Sequence, residues 1–419
     1  MPWIFRRQEK LSGHARLIIA LNTLYSIAEA LCSVFVGVYF YINSHNINTV
    51  FFHYTVLYLT TPFAFVFAGW LTRKRDRSFL FRAGLVLHAL YYAALLFLRD
   101  SSPEYAGMLG GLLGITWGFF WAGNNTYQYD FSSGNGGREF FLGMISAVSA
   151  GAKILAPLMS GLIISFAPVP QQGYEIIFVV ALMLYSVAIT FSFKIPASPK
   201  SGSFPLKQAL FPPRAHRDWR ILMLAGISLA GSFHIFHFLL ALIMYFEIGN
   251  EAAVGGYVSF QGLVTVTVSY LVGRYVVPQS RKRFMFWGVL VLVAAGLIVF
   301  WETTVWTLLI FGFLRSISLP LYGIPDTAVR FEVMESMMKE PGDRIAYLCA
   351  WESPLAVGRL IAMASLFVLY HLYGGVGLRV MLLLLCLIRL ATYALMCRIS
   401  IIRNPALSPS AGDTCPPQL

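Results

Sequence analysis

The side chains of this sequence that can do chemistry are the few charged and titratable ones set inside long apolar runs. Glu29 lies near the middle of the first run, with Asn22 and Tyr25 on the same helical face at i, i+3, i+7 spacing. A carboxylate at that depth binds a proton or a cationic group, or pairs with a basic residue of a neighbouring helix. Lys153, Arg315 and Arg359 are cations at comparable depth in other runs, and Glu352 precedes Arg359 by seven residues. Two helical turns are expected to be too far for a direct pair but good for a relay. Three cations in a water-poor interior make a pocket that attracts carboxylate or phosphate, and an Arg fork meets such groups with two hydrogen bonds. Internal pairing of Lys153 or Arg359 with Glu29 or Glu352 is the other reading; both hold if substrate competes with the ion pair.

His234 and His237 are i, i+3 neighbours at mid-span. They suit proton or substrate contact, because His titrates near neutral pH, or they pack through hydrogen bonds. A metal would need further ligands, so no metal site and no cofactor are expected. Trp117, Trp121 and Asn124 share a face suited to a flat or apolar portion of an organic solute; Trp121 and Tyr127 equally fit an interfacial belt. Of the stripe Gln261, Thr265 and Ser269, only Gln261 is a site candidate, since Ser/Thr stripes usually join helices. Arg389 reads as backbone-paired or snorkelling.

Composition says what must position these groups. The chain has 419 residues, 58% hydrophobic and only 12% charged, with a mean hydropathy of +0.68. A soluble domain is about a quarter charged, so a cytosolic enzyme, a disordered chain and a nucleic-acid-binding domain are excluded. Twelve runs reach the roughly 20 apolar residues a bilayer crossing needs: 16–41, 50–72, 79–98, 106–128, 140–166, 173–195, 220–247, 252–276, 284–301, 304–326, 345–371 and 379–400. They lack the short alternation of barrel strands. The first is too long for a signal peptide and lacks a cleavage site, so it reads as a retained helix. Five cysteines without paired spacing give neither a disulfide framework nor a zinc motif.

Basic residues orient the spans. With the N-terminus cytoplasmic, 25 of the 31 Lys and Arg fall in cytoplasmic segments and only Arg99 and Arg379 fall outside. Both termini are therefore expected in the cytoplasm, and the net charge of +12 is a topology signal that needs no nucleic acid. The polar, Pro/Ser/Lys-rich stretch near 195–219 reads as a linker. The expected organisation is a first six-helix bundle over 1–195, a linker over 196–219, a second bundle over 220–403 and a disordered tail over 404–419. The halves echo each other: Gly69, Arg77 and Gly84 map onto Gly273, Arg281 and Gly288 at an offset of 204, and Arg138 and Lys153 onto Arg344 and Arg359 at 206. Such a repeat predicts two bundles about a pseudo-twofold axis along the membrane normal, able to rock about a central site.

On these residues the chain resembles a major facilitator superfamily transporter over its whole length. The loop after the second run is similar to that family's pattern of Gly, an acid, then Arg, Gly and Arg/Lys. Here it stands as Gly69, Leu71, Arg73, Lys74, Asp76 and Arg77, with Arg73 at the acid's place and Asp76 at the second glycine's. Ala156, Pro157 and Gly161 fit the antiporter motif of the fifth helix without its doubled glycine; the fourth run lacks the Arg of many proton antiporters, and Arg315 sits at comparable depth in the tenth. The resemblance implies an all-α polytopic fold of twelve transmembrane helices in two pseudo-symmetric bundles. Runs 1, 4, 7 and 10 would line the cavity, 2, 5, 8 and 11 flank it, and the rest support it. Asp130 and Glu332 would pair with the basic loops, including Arg281, as cytoplasmic gates. No GxSxG, HExxH or P-loop occurs, so no enzyme is expected and the energy source is a gradient. The reading is a monomeric, proton-coupled secondary transporter of a small organic solute, with a lean towards an anionic or amphipathic one. Its partners are solute, protons and lipid, and its place is a plasma membrane of bacterial inner-membrane type. An uncoupled facilitator, a membrane-embedded sensor and a lipid-acting enzyme are the alternatives.

Overall fold

The computed structural model describes residues 13–132, 138–195, 204–213, 216–338 and 343–404. These form helices and turns, as a chain must where no water is present to satisfy backbone N–H and C=O groups. The first run becomes two helices, α1 (Gly13–Cys32) and α2 (Val36–Ser44), separated at residues 33–35. Runs 2–6 become α3 (Ile47–Leu71), α4 (Arg77–Leu98), α5 (Ala106–Ser132), α6 (Arg138–Phe166) and α7 (Pro170–Ser192). Runs 7–12 become α9 (Arg217–Ile248), α10 (Glu251–Tyr275), α11 (Arg281–Trp301), α12 (Val305–Met337), α13 (Arg344–Tyr373) and α14 (Gly375–Met396). The short α8 (Leu206–Leu210) and α15 (Ser400–Arg403) lie outside the spans.

Ends are set by local chemistry. Asn46, Asp76 and Asn250 accept a backbone N–H to cap α3, α4 and α10, and Thr304 closes a capping box with Thr307 on α12. Gly249, at φ 66°, ends α9 in the left-handed conformation that glycine adopts without strain. Among the described residues, eleven stretches are long and apolar enough to cross a membrane; one of them, Ser78–Asn125, is 48 residues long and takes in α4 and most of α5, enough for two crossings. Twelve crossings result. The loops between α3 and α4 and between α10 and α11 lie with both ends of the described chain at one face, here the basic end.

Helices α1 to α7 pack mainly on one another, as do α9 to α14; α6 on α10, α3 on α13 and α2 on α9 join the two sets. The sequence repeat has a packing reason. A Cβ on Gly84 would lie 2.5 Å from Phe120 Cα, and one on Gly288 would lie 2.9 Å from Tyr322 N. Each glycine thus lets the third helix of its half touch the backbone of the fourth (α4 on α5, α11 on α12). Away from the basic end the halves are sealed. Ser165 joins the first turn of α10, accepting from Ala252 N at 2.9 Å, and Tyr41 packs on Phe246 with ring centroids 4.7 Å apart. Tyr54 stacks on Phe238 at 4.1 Å. The linker is partly docked, since Trp219 donates to Ala209 O of α8 at 2.8 Å and Phe204 covers Gly69.

Substitution to Leu should therefore act in opposite directions at two glycines. At Gly84 the obstacle is backbone, so Gly84→Leu is expected to cost about 1–3 kcal/mol by overpacking. At Gly273 nothing lies within 4 Å, so Gly273→Leu should be neutral or gain up to about 1 kcal/mol of helix propensity. Thermal unfolding of the purified variants in detergent separates the two.

Candidate functional site

In the first half, Glu29 stands one turn before the break between α1 and α2, with its side chain 22% exposed. The fully buried His88 of α4 points Nε2 at Glu29 Oε2 from 3.9 Å, and Tyr185 of α7 donates to the same oxygen at 3.4 Å. His88 Nδ1 lies 2.9 Å from the Gly84 carbonyl, which can only accept, so Nδ1 carries a hydrogen and, in the neutral ring, Nε2 faces Glu29 as a proton acceptor. Lys153, halfway along α6, is exposed and acts electrostatically on Glu29. Its neighbour Ser149 hydrogen-bonds Ser26 of α1 at 3.1 Å. A carboxyl, a proton acceptor and an accessible ammonium therefore meet at mid-depth.

The remaining candidates of this half are arranged around that group. Tyr25 stacks on Phe120 at 3.7 Å, and Trp121, 38% exposed, stands edge-on to Tyr25 at 6.2 Å. Asn22 is engaged by its own helix through Ile18 O, and Trp117 Nε1 and Asn124 Oδ1 are buried without a partner among the described residues. His88 and Tyr185 were not singled out from sequence. They lie on the third and sixth runs, which the resemblance made outer supports, and the structure brings both inward to Glu29.

In the second half a cavity of about 300 Å³ opens between α9, α11, α12, α13 and α14. Arg315, Arg330 and Arg389 line it with Asp326, the one carboxylate of the lining, and with Ser318, Tyr322, Thr327 and His234. Gln261 accepts from Arg315 Nη1 at 3.2 Å. His234 keeps Nδ1 3.2 Å from Ala230 O. Arg389 corrects its sequence reading: only 5% exposed, it lies over the Tyr322 ring at 5.0 Å and points into the cavity, neither snorkelling nor paired to backbone through Nε and Nη1. Arg330, read as a loop residue, falls inside α12, which runs to Met337. The expected run 304–326 already held both internal prolines, Pro320 and Pro325, and the helix continues past them.

Arg359 and Glu352 are also corrected. They form a direct ion pair, with Arg359 1% exposed and additionally set over the Tyr58 ring. Side chains on a helix lean towards its N-terminus, so the long Arg arm spans two turns back to the acid. Arg359 is therefore engaged inside its own helix and does not join the cavity. At the basic end Arg281 donates to both carboxylate oxygens of Glu332, at 3.0 and 2.7 Å. Asp76 caps α4, Arg73 is exposed, and Gly69 admits Cys349 Sγ where a Cβ would stand. The side chains of Arg77, Tyr127, Asp130 and His237 lie outside the described residues, as does 405–419. No cluster of three metal-ligating side chains occurs among the described residues.

Comparison with known proteins places this geometry. The model of the Major Facilitator Superfamily matches residues 17–337. A Bacillus subtilis protein, described as Uncharacterized protein YqgE, is 26% identical over 346 residues, covering 83% of this chain and 80% of that one. Among solved structures, the nucleoside transporter NupG superposes with a TM-score of 0.68 at 13% identity, over 92% of this chain and 99% of that one. The E. coli fucose:proton symporter FucP does so at 0.63 and 14% identity, over 91% and 97%. At such identities the structures show a shared fold.

Breaking the buried pair should be costlier than removing both of its members. Glu352→Gln, which strands the Arg359 charge, is expected to lose about 3–5 kcal/mol, and adding Arg359→Gln should recover most of it. A double-mutant cycle on thermal unfolding reads the difference.

Proposed function

The chain belongs to the Major Facilitator Superfamily and is a transporter, and we propose that it is proton-coupled and carries a small organic solute with an anionic group by alternating access. The observation that carries this reading is Glu29 Oε2 held 3.9 Å from Nε2 of His88 beside an exposed Lys153. With Glu29 ionised, its charge offsets that of Lys153. Protonation, with His88 as the adjacent station, removes that attraction and leaves the ammonium available to an anionic solute. Release of the proton restores the competition and helps expel the solute. Proton and solute are thus linked through one side chain, with no energy source beyond the gradient. A fucose:proton symporter of the same fold supports such coupling.

The bundles over 1–195 and 220–403 rock about the linker, and the protein works as a monomer. In this conformation the halves meet away from the basic end through Ser165, Tyr41 and Tyr54, and nearer it through Cys349 of α13 against Phe65 and Gly69 of α3. Return requires the contacts away from that end to part and the basic end to close, while the Arg281–Glu332 pair, lying within the second half, travels with it intact. The basic end and both termini face the cytoplasm, in a plasma membrane of bacterial inner-membrane type.

In proteoliposomes, uptake screened over anionic, neutral and cationic solutes should show an anion accumulating only under an imposed pH gradient. Glu29→Gln should abolish accumulation while leaving downhill exchange; equal accumulation without the gradient, or an unaltered Glu29→Gln protein, identifies an uncoupled facilitator instead. For the topology, a membrane-impermeant maleimide applied to intact cells should label Cys placed at Glu302, at the end opposite the basic loops, and spare Cys placed at Lys194, in a background without native cysteines.

A further inference from the structure

The second-half cavity has a feature that the rocking mechanism does not use. Each of its three guanidinium groups lies against an aromatic ring: Arg315 over Phe236 at 5.2 Å, Arg389 over Tyr322 at 5.0 Å and Arg330 over Trp351 at 4.9 Å. Stacking engages the flat face of a guanidinium and leaves its N–H donors, which lie in the plane, free to point outward. Those donors are largely unanswered. Arg389 Nε and Nη1, Arg315 Nε and Arg330 Nε are buried without a hydrogen-bond partner among the described residues, and so is the Tyr322 hydroxyl. Arg315 has one partner in Gln261 and Arg330 one in Thr327, at 3.2 Å each.

The charges do not balance either. Asp326 is the acid that faces both Arg330 and Arg389, and Arg315 and Arg389 act on each other as like charges. Three guanidinium groups against one carboxylate leave two positive charges in the lining. Buried donors without acceptors, on cations that repel one another, are unfavourable unless an anion completes the set. The walls also include Leu229, Val289, Leu292, Leu319 and Leu355, so the cavity offers apolar contact beside the charged rim. Its volume of about 300 Å³ is that of roughly ten waters at about 30 Å³ each.

We propose that this cavity, lined only by helices of the second half, binds the oxyanion group of the carried solute: a small, partly apolar organic carboxylate or phosphate ester gripped by Arg315, Arg330 and Arg389. The proposal rests on the transporter reading and deepens it, because it places the anion within one bundle instead of between the two. Lys153, on the other half, is then where the bound anion is met when the bundles approach, and Asp326 is the internal counter-charge that keeps the empty site from being over-positive.

Binding measured at equilibrium, with no gradient, tests the site apart from the coupling. The purified protein in nanodiscs is titrated with benzoate, citrate, glucose 6-phosphate and inorganic phosphate, and with glucose and choline as neutral and cationic controls, following thermal stabilisation. At least one organic oxyanion should stabilise the protein and the controls should not. Arg389→Gln and Arg330→Gln should each weaken that binding by about tenfold or more, as expected for losing a charge-assisted fork. Should those variants fail to fold, the wild-type chain gives a second reading: modification of Arg315, Arg330 and Arg389 by phenylglyoxal, mapped by mass spectrometry, should slow about fivefold or more with the oxyanion bound, while exposed Arg73 reacts unchanged. The proposal is overturned if no organic oxyanion stabilises the protein, if glucose or choline binds as well, or if binding leaves the three arginines unprotected or is indifferent to both substitutions. Gradient-driven uptake that survives such a result would leave the transporter reading standing with its anion held elsewhere.

Discussion

A charge inside a bilayer has to be answered by protein, because lipid supplies neither counter-ion nor hydrogen bond. That constraint orders the interior of this molecule more than any apolar contact does. Arg359 is answered by Glu352 within its own helix and by the face of Tyr58 from α3. Glu29 is answered by His88, Tyr185 and Lys153 from three different helices. Arg281 is answered by a two-pronged carboxylate at the basic end. The arginines around Asp326 are left with more positive charge than the one carboxylate of their cavity lining offsets.

These three treatments of charge divide the labour. An ion pair closed within one helix moves with that helix and can stay intact while the bundles rock. A carboxyl shared between α1, α4 and α7 senses their relative placement as well as its own proton, so it can join chemistry to motion. A cluster left incomplete is a place for something that arrives from outside. The aromatic residues are the common device: Tyr322, Phe236 and Trp351 hold cations in place without taking up their donors, and Tyr25 on Phe120 fixes the wall next to Glu29.

Much of the fold was legible in the sequence because membrane insertion writes it in long, contiguous signals. All twelve runs became helices, and the echo of Gly84 in Gly288 marked a real close approach in each half. The site was less legible, because it depends on which side chains from distant runs meet. Glu29, Lys153 and Arg315 stood out as charges at mid-span. His88 and Tyr185 carry no such mark, since buried His and Tyr in outer helices are ordinary packing residues. Asp326 closed the tenth run without being weighed as a site residue, Arg330 lay just past that run's expected end at 326, and Arg389 sat on a run expected to be an outer support. The Glu352–Arg359 pair was misjudged by counting turns along the axis while ignoring the direction in which side chains lean.

The seal between α6 and α10 is made unusually: where Gly161 meets Glu251 and Gly255 meets Pro157, main chain approaches main chain and hardly any side chain intervenes. Burying a long side chain removes rotamer freedom, up to about 2 kcal/mol each, and freeing it returns that entropy. Glycine has none to lose. This stretch can therefore part and rejoin with little re-sorting of rotamers, so its contribution to the opening barrier comes from surface, backbone dispersion and the hydrogen bonds of Ser165.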